Sequence, residues 1–274
     1  MQPSEILKTL NKFPNKKFGQ NFLVDEKCLS DIVEAADLNK DVTVVEIGPG
    51  LGVLTEQLAQ KAGRVIAVEA DRELADYLRN RNFPNTTIIT GDALRVEWDL
   101  TIEGGYKIVA NIPYSITSPL LKKIFSLKNK PAEVILLVQK ELAERLVAIP
   151  KTRTRGFMTV LREANAEAEI IRRVLPGSFY PAPKVDSAVI KLTPFSDNKM
   201  EQLFWPIIES GFRHKRQTLA NALSADLQIA KADTAKVLEE VGLTVMARAE
   251  ELSFEQWEKL CQKLKKNYEV GIKN

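Results

Sequence analysis

Val42-Thr43-Val44-Val45-Glu46-Ile47-Gly48-Pro49-Gly50-Leu51-Gly52 is an apolar, β-branched run that breaks into three glycines separated by single residues and then enters the helical stretch Leu54 to Lys61. A strand that feeds a glycine turn and then a helix is the repeating unit of a parallel sheet covered on both faces. The same alternation continues on either side. Val65 to Glu69, Thr87 to Thr90, Lys107 to Ala110 and Val134 to Val138 read as further strands, and Leu29 to Ala36, Arg72 to Arg81, Pro119 to Phe125 and Lys140 to Ala148 as helices. After Pro150 two longer extended segments follow, Ala166 to Val174 and Ser187 to Leu192, separated by the proline-rich turn Pro176 to Pro183 and expected to pair antiparallel at one edge. Beyond Pro194 the pattern is helical, with starts near Asn198, Lys215, Ala232 and Ser253, and an apolar stripe through Phe254, Trp257, Leu260 and Leu264. The expected architecture is therefore α/β, a Rossmann-like domain over residues 1–195 followed by a small all-helical domain over 196–274.

Composition narrows the class. The chain has 274 residues, 45% hydrophobic and 27% charged, which suits one large core with a smaller unit and excludes a disordered chain. Cys28 and Cys261 are far apart and give neither a disulfide framework nor metal-ligand spacing, so both are expected to be structural, in a reducing compartment, with no metal. No apolar run is long enough to span a bilayer, and Met1 to Phe13 lacks the apolar core of a secretory signal, so no membrane is expected and the cytoplasm is the expected location. The formal charge of +3 says little by itself, but Lys140 to Lys184 carries nine Lys and Arg against five Glu, whereas 198–274 carries twelve basic against eleven acidic residues. Such an excess attracts phosphates, and a second basic cluster stands at Arg213-His214-Lys215-Arg216, read as the start of a helix, where the macrodipole disfavours cations and a partner anion would explain them.

The glycine loop is spaced G-x-G-x-G, and Pro49 removes an amide that a pyrophosphate would use, so a cofactor without phosphates fits better than a dinucleotide. Glu69 closes the second strand, where a carboxylate can accept from both hydroxyls of a ribose; Asp92 follows the third, placed to accept from an adenine amine. After the fourth strand stands Asn111-Ile112-Pro113-Tyr114. Adenine N6 is a poor nucleophile, because its lone pair is delocalised into the ring. An enzyme that alkylates it must favour a pyramidal nitrogen, and the Asn111 side-chain oxygen with the Ile112 carbonyl can accept its two hydrogens while Tyr114 stacks on the base. The single histidine, His214, is remote from this motif and no cysteine accompanies it, so neither imidazole nor thiolate catalysis is expected.

These segments, with Phe18-Gly19-Gln20-Asn21-Phe22-Leu23, Val68-Glu69-Ala70-Asp71, Gly91-Asp92-Ala93-Leu94, Pro176 to Val189 and Phe212 to Leu219, resemble the ribosomal RNA adenine N6,N6-dimethyltransferase family of the KsgA/Dim1 type. The resemblance implies a class I S-adenosylmethionine-dependent methyltransferase. It implies cofactor contacts from Asn21, Leu23, Gly48, Gly50, Glu69, Asp92 and Asn111, a catalytic loop of Asn111, Ile112, Pro113 and Tyr114, and Phe179 packed on a flipped adenine. It also implies the substrate, two adjacent adenosines in a 3′-terminal hairpin loop of small-subunit rRNA within an assembling subunit, acted on by a monomer. Arg153, Arg155, Arg213, Lys215 and Arg216 are the expected phosphate contacts. Two departures stand out: Arg155-Gly156-Phe157 replaces a Tyr-Gly that leads into a Leu-Ser-Val-like strand in the family, and Gln217 stands where a further lysine is usual. The competing readings are a large-subunit adenine dimethylase of the macrolide-resistance type, a non-catalytic RNA-binding assembly factor that keeps the fold, and, more distantly, a nicotinamide dehydrogenase.

Overall fold

The computed structural model describes residues 3–15, 18–102, 104–214 and 216–268. It divides into two units, Met1–Ala143 with Glu167–Ser196, and Glu144–Ala166 with Asp197–Asn274. Among the described residues the first carries nine strands: β1 (Phe22–Leu23), β2 (Thr43–Ile47), β3 (Arg64–Glu69), β4 (Thr86–Thr90), β5 (Tyr106–Asn111), β6 (Glu133–Gln139), β7 (Ala166–Val174), β8 (Phe179–Tyr180) and β9 (Ser187–Pro194). Seven form one sheet in the order β4-β3-β2-β5-β6-β9-β7, and β1 pairs with β8 in a separate antiparallel ribbon. From β4 to β6 neighbouring strands are parallel, and β9 runs antiparallel to β6.

The central strands read as unbroken apolar runs because helices cover both faces of the sheet. Val44, Val45, Ile108, Val109, Val134 and Ile135 are all fully buried. The chain winds outward from β2 through β3 to β4, then returns to place β5 on the other side of β2. That reversal leaves a crevice beyond the carboxyl ends of β2 and β5, the position at which open α/β sheets bind ligands. The expected edge position of the two long extended segments is found: β9 and β7 are the last two strands of the sheet.

The second unit is helical, with Phe157–Asn165, Trp205–Arg213, Leu219–Leu227, Lys231–Glu240 and Phe254–Tyr268 as its main elements. Trp257, fully buried, sits at its centre, 5.5 Å from the Phe212 ring between centroids. Gly211 permits this contact, since a Cβ there would lie 2.5 Å from the Trp257 ring. Two sequence expectations change here. The helical unit resumes at Asp197, one residue from the expected start, but it also takes up 144–166, where Val160 and Ala164 join Phe204, Ile208 and Trp257 in one apolar cluster. The residues that stand in place of the family's strand form the helix Phe157–Asn165, which buries Met158, Val160, Leu161 and Ala164. Both cysteines are free and buried, and burial pushes the Cys28 thiol up to about 12. Among the described residues no helix is long and apolar enough to cross a membrane, and no cluster of His, Cys, Asp or Glu suits a metal ion.

Candidate active site

The glycine loop leaves β2 with Gly48 at φ +68° and Gly50 at φ +59°, a region that side chains with a Cβ rarely adopt. This turn exposes backbone amides to neighbours on β3. The Gly48 N–H donates to the Val68 carbonyl at 2.9 Å, and the Gly50 N–H donates to Glu69 Oε2 at 2.9 Å. Glu69 Oε1 accepts from the Asp71 N–H at 2.8 Å. Glu69 is therefore a structural tie between the two loops as well as a candidate ligand. Burial pushes its carboxyl above the usual range, and these backbone donors only partly offset that. Glu46 lies beside it on β2, 1% exposed.

Asn111 is the last residue of β5 and has a defined amide orientation, because its Nδ2 donates to the Asn21 backbone carbonyl at 3.1 Å. That bond turns Oδ1 away as the free acceptor. The next three residues are held by packing. Ile112 is buried, and Pro113 closes against Gly19, whose added Cβ would meet it at 3.1 Å. The Tyr114 hydroxyl shares a 2.6 Å hydrogen bond with Ser187 Oγ, and burial raises its pKa, so the phenol stays neutral.

Ten residues expected from sequence, Asn21, Leu23, Gly48, Gly50, Glu69, Asp92, Asn111, Ile112, Pro113 and Tyr114, line one cavity of about 370 Å³. Its walls are mainly apolar, and among the described residues its charged lining consists of Glu46, Glu69 and Asp92 with no Lys, Arg or His. Such a lining favours a cation and opposes a phosphate. An adenosine-sized ligand with a positive charge and no phosphate suits it; a pyrophosphate does not.

Other expectations are corrected. Phe179 does not line this cavity: it pairs with Leu23 across the β1–β8 ribbon and is 5% exposed, in an apolar cluster with Leu29, Ile32 and Val189. Its strand partner Leu23 does line the cavity, and the exposed aromatic of the ribbon is Tyr180, 41% exposed. Arg155 is not on the surface at all. It is fully buried, its guanidinium pairs with both oxygens of Glu163 at 2.7 Å, and its Nε donates to the Leu252 carbonyl at 3.0 Å. Arg153 and Arg216 are exposed, and Arg213 is 58% exposed while paired with Asp226 at 2.8 Å; Lys215 lies outside the described residues. The basic cluster also follows the helix Trp205–Arg213 instead of opening one, so the macrodipole favours Arg213 and no longer calls for a partner anion.

Sequence reading gave no role to Lys12, Gln20 or Asp71, which form a clasp. Lys12 Nζ donates to both Asp71 oxygens at 2.9 Å and Gln20 Nε2 to Asp71 Oδ2 at 3.2 Å, while Asp71 also caps the helix Arg72–Arg81. Burial pushes the Asp71 carboxyl up, but the Lys12 ammonium and these donors outweigh it and hold it below the usual range. The clasp ties the segment that carries Gln20 and Asn21 to the end of β3. Lysine at 12 and the acid after Glu69 were the visible signal, but their separation of 59 residues hid the pairing.

A doubly wound sheet with an acidic, phosphate-averse cavity at its switch point, and an Asn-Ile-Pro-Tyr loop at the rim, defines a class I methyltransferase. The chain belongs to the ribosomal RNA adenine dimethylase family, whose model matches residues 11–266. It is 39% identical over 268 residues to a ribosomal RNA small subunit methyltransferase A of Clostridium botulinum, covering 95% of this chain and 97% of that protein. It is 40% identical to the protein of the same name from Dehalococcoides mccartyi, covering 95% and 91%. Among solved structures it is similar to a dimethyladenosine transferase from Plasmodium falciparum, with a TM-score of 0.77 at 26% identity over 89% of this chain and 98% of that one. The 23S rRNA methyltransferase ErmE gives a TM-score of 0.66 at 28% identity over 89% and 99%.

Proposed function

We propose that this chain transfers methyl groups from S-adenosylmethionine to N6 of two adjacent adenosines in a 3′-terminal hairpin loop of small-subunit rRNA, as a cytoplasmic monomer acting on an assembling subunit. The observation that carries the reading is the oriented Asn111 amide, whose free Oδ1 stands at the end of β5 on the rim of the cavity. The cofactor supplies an electrophilic methyl on a cationic sulfonium, in keeping with a lining that, among the described residues, has three carboxyl groups and no Lys, Arg or His. The protein's part is to position and to accept hydrogen bonds. Asn111 Oδ1 and the Ile112 carbonyl accept from the two N6 hydrogens as the nitrogen becomes pyramidal, and the Tyr114 ring holds the base plane. The proton leaves to water after alkylation. The names of the relatives at 39% and 40% identity favour small subunits. Incubating the purified protein with S-adenosylmethionine and unmethylated small subunits, then mapping dimethyladenosine by mass spectrometry, tests this; modification of large-subunit RNA alone selects the other substrate.

Glu69→Ala weakens S-adenosylmethionine by roughly 2 kcal/mol or more, because it removes a charge-assisted contact and also frees the Gly50 amide from its anchor. Glu69→Gln recovers little, since the amide nitrogen cannot accept from both backbone donors. Calorimetric affinity within a factor of two of wild type in the Ala variant removes Glu69 from the cofactor site.

For RNA, the surface cations that fit a phosphate track are Arg153, Arg213 and Arg216. Neutralising all three flattens the dependence of log affinity on log salt by roughly two to three units and leaves cofactor binding intact. An unchanged salt slope in the folded variant places the RNA path elsewhere.

A further inference from the structure

Lys123 stands in the last turn of the helix Thr117–Ser126, which issues from the Asn111–Tyr114 loop, and the macrodipole alone would suit a cation there. Its ammonium goes elsewhere. Nζ donates to the Leu94 carbonyl at 2.9 Å and to the Val96 carbonyl at 2.6 Å, 29 and 27 residues back in the chain, and Lys123 is not among the residues that line the cavity. Two charge-assisted bonds to one short turn fix the direction of both carbonyls. That turn carries Asp92.

The Asp92 carboxylate is placed through the same backbone. Its Oδ1 accepts from the Leu94 N–H at 2.9 Å, the Asp92 carbonyl accepts from the Arg95 N–H at 2.8 Å, and the Trp98 indole N–H donates to the Ala93 carbonyl at 2.9 Å. Oδ1 is thus used within the turn, and Oδ2, 3.7 Å from the exposed Arg95 guanidinium, is the oxygen a base amine can use. Leu94 is the link: its N–H aims the carboxylate and its carbonyl is held by Lys123. A half-exposed carboxylate on a loop selects a base well only when its direction is preset, because ordering it at the moment of binding would cancel much of the gain.

We propose that Lys123 is a positioning residue for the cofactor's base: by holding the 92–96 turn against the helix that follows the Asn111–Tyr114 loop, it aims Asp92 at the exocyclic amine of adenine, and the site's preference for a 6-amino purine depends on it. The inference rests on the cavity being the S-adenosylmethionine site. Lys123 acts through Leu94 and Asp92 and is not itself a ligand of the base.

Two ligands that differ only at the pairing edge of the base separate this role from plain stabilisation of the fold. S-adenosylhomocysteine carries the 6-amino group, whereas S-inosylhomocysteine carries an oxo group there and has no amine to offer Asp92. Calorimetry on the wild-type protein shows S-adenosylhomocysteine binding about 10- to 100-fold tighter, the scale of one hydrogen bond to a charged group. In Lys123→Met that preference shrinks to about threefold or less, because S-adenosylhomocysteine weakens while S-inosylhomocysteine moves by less than about twofold. Asp92→Ala shows the same collapse, and the double variant is no worse than either single one, as expected of residues that act in series. If Lys123→Met fails to fold, Lys123→Gln, which keeps most of the stem and loses the charge, is measured against the same criteria. No preference in the wild-type protein, an unchanged preference in the folded Lys123 variant, equal weakening of both ligands, or additive losses in the double variant overturns the proposal and leaves the cofactor reading standing. Binding of neither ligand by the wild-type protein overturns both.

Discussion

Asn111→Ala lowers single-turnover methylation by about 100- to 1,000-fold while cofactor affinity falls less than about tenfold, the usual scale for removing one preorganised transition-state acceptor. The separation of the two effects follows from the hydrogen bonding. Nδ2 is occupied by the Asn21 carbonyl, so what the target amine loses is Oδ1, an acceptor that strengthens as N6 becomes pyramidal. The cofactor side loses only one brace on Asn21, a half-buried residue that keeps its own bond to the Gly19 carbonyl. Asn111→Asp refines the point, because it retains an acceptor toward the base but turns a carboxylate oxygen toward the Asn21 carbonyl, and it should lose both rate and cofactor affinity. Single-turnover rates on unmethylated subunits, set beside calorimetric cofactor affinities, separate the two effects. A wild-type rate in the Ala variant removes Asn111 from the chemistry.

Arg155→Ala destabilises the helical unit by about 3 to 5 kcal/mol, the cost typical of breaking a buried ion pair by removing one partner. Three groups are orphaned together: the two Glu163 oxygens and the Leu252 carbonyl. The double change Arg155→Met with Glu163→Leu recovers most of the loss, since apolar groups of similar volume fill such sites at little or no net cost. Denaturant unfolding measures the stability, and the salt dependence of RNA binding is unaffected in either protein. A loss below about 1 kcal/mol, or a shallower salt slope, returns Arg155 to the RNA surface.

The fate of Arg155 also marks where sequence stops being legible. The parallel sheet was readable because β-branched runs alternate with amphipathic stretches at short intervals, and the cofactor cavity because its parts stand at consecutive strand ends, from Gly48 to Asn111. Each of these signals is local. Arg155 was read as a surface cation because nothing near it in sequence announces the Leu252 carbonyl, which lies 97 residues away. Phe179 was read as a stacking ring from the family resemblance, and a two-residue strand is too short to reveal in sequence which of Phe179 and Tyr180 faces inward. Phe157 to Asn165 reads ambiguously, since Met-Thr-Val-Leu suits a strand, and only burial against the other helices decides for a helix. The basic cluster was placed at the wrong helix end because no glycine or proline marks where Trp205–Arg213 stops.

The segment 144–166, held in the helical unit although strands of the other unit follow it, bears on how the chain is made. On a translating ribosome its apolar face, with Val160 and Ala164, emerges well before its partners. Trp257 is synthesised roughly 90 residues later, a delay of about 5 to 20 s at ordinary elongation rates. During that interval the nascent chain carries an uncovered greasy surface while the neighbouring strands are already available to pair. Holdase chaperones are therefore most needed after β9 has been made and before the last helix leaves the exit tunnel. A single proteolytic or genetic cut near residue 196 cannot yield two self-sufficient halves, since the C-terminal piece would lack the helix Phe157–Asn165 and the N-terminal piece would keep it without its covering.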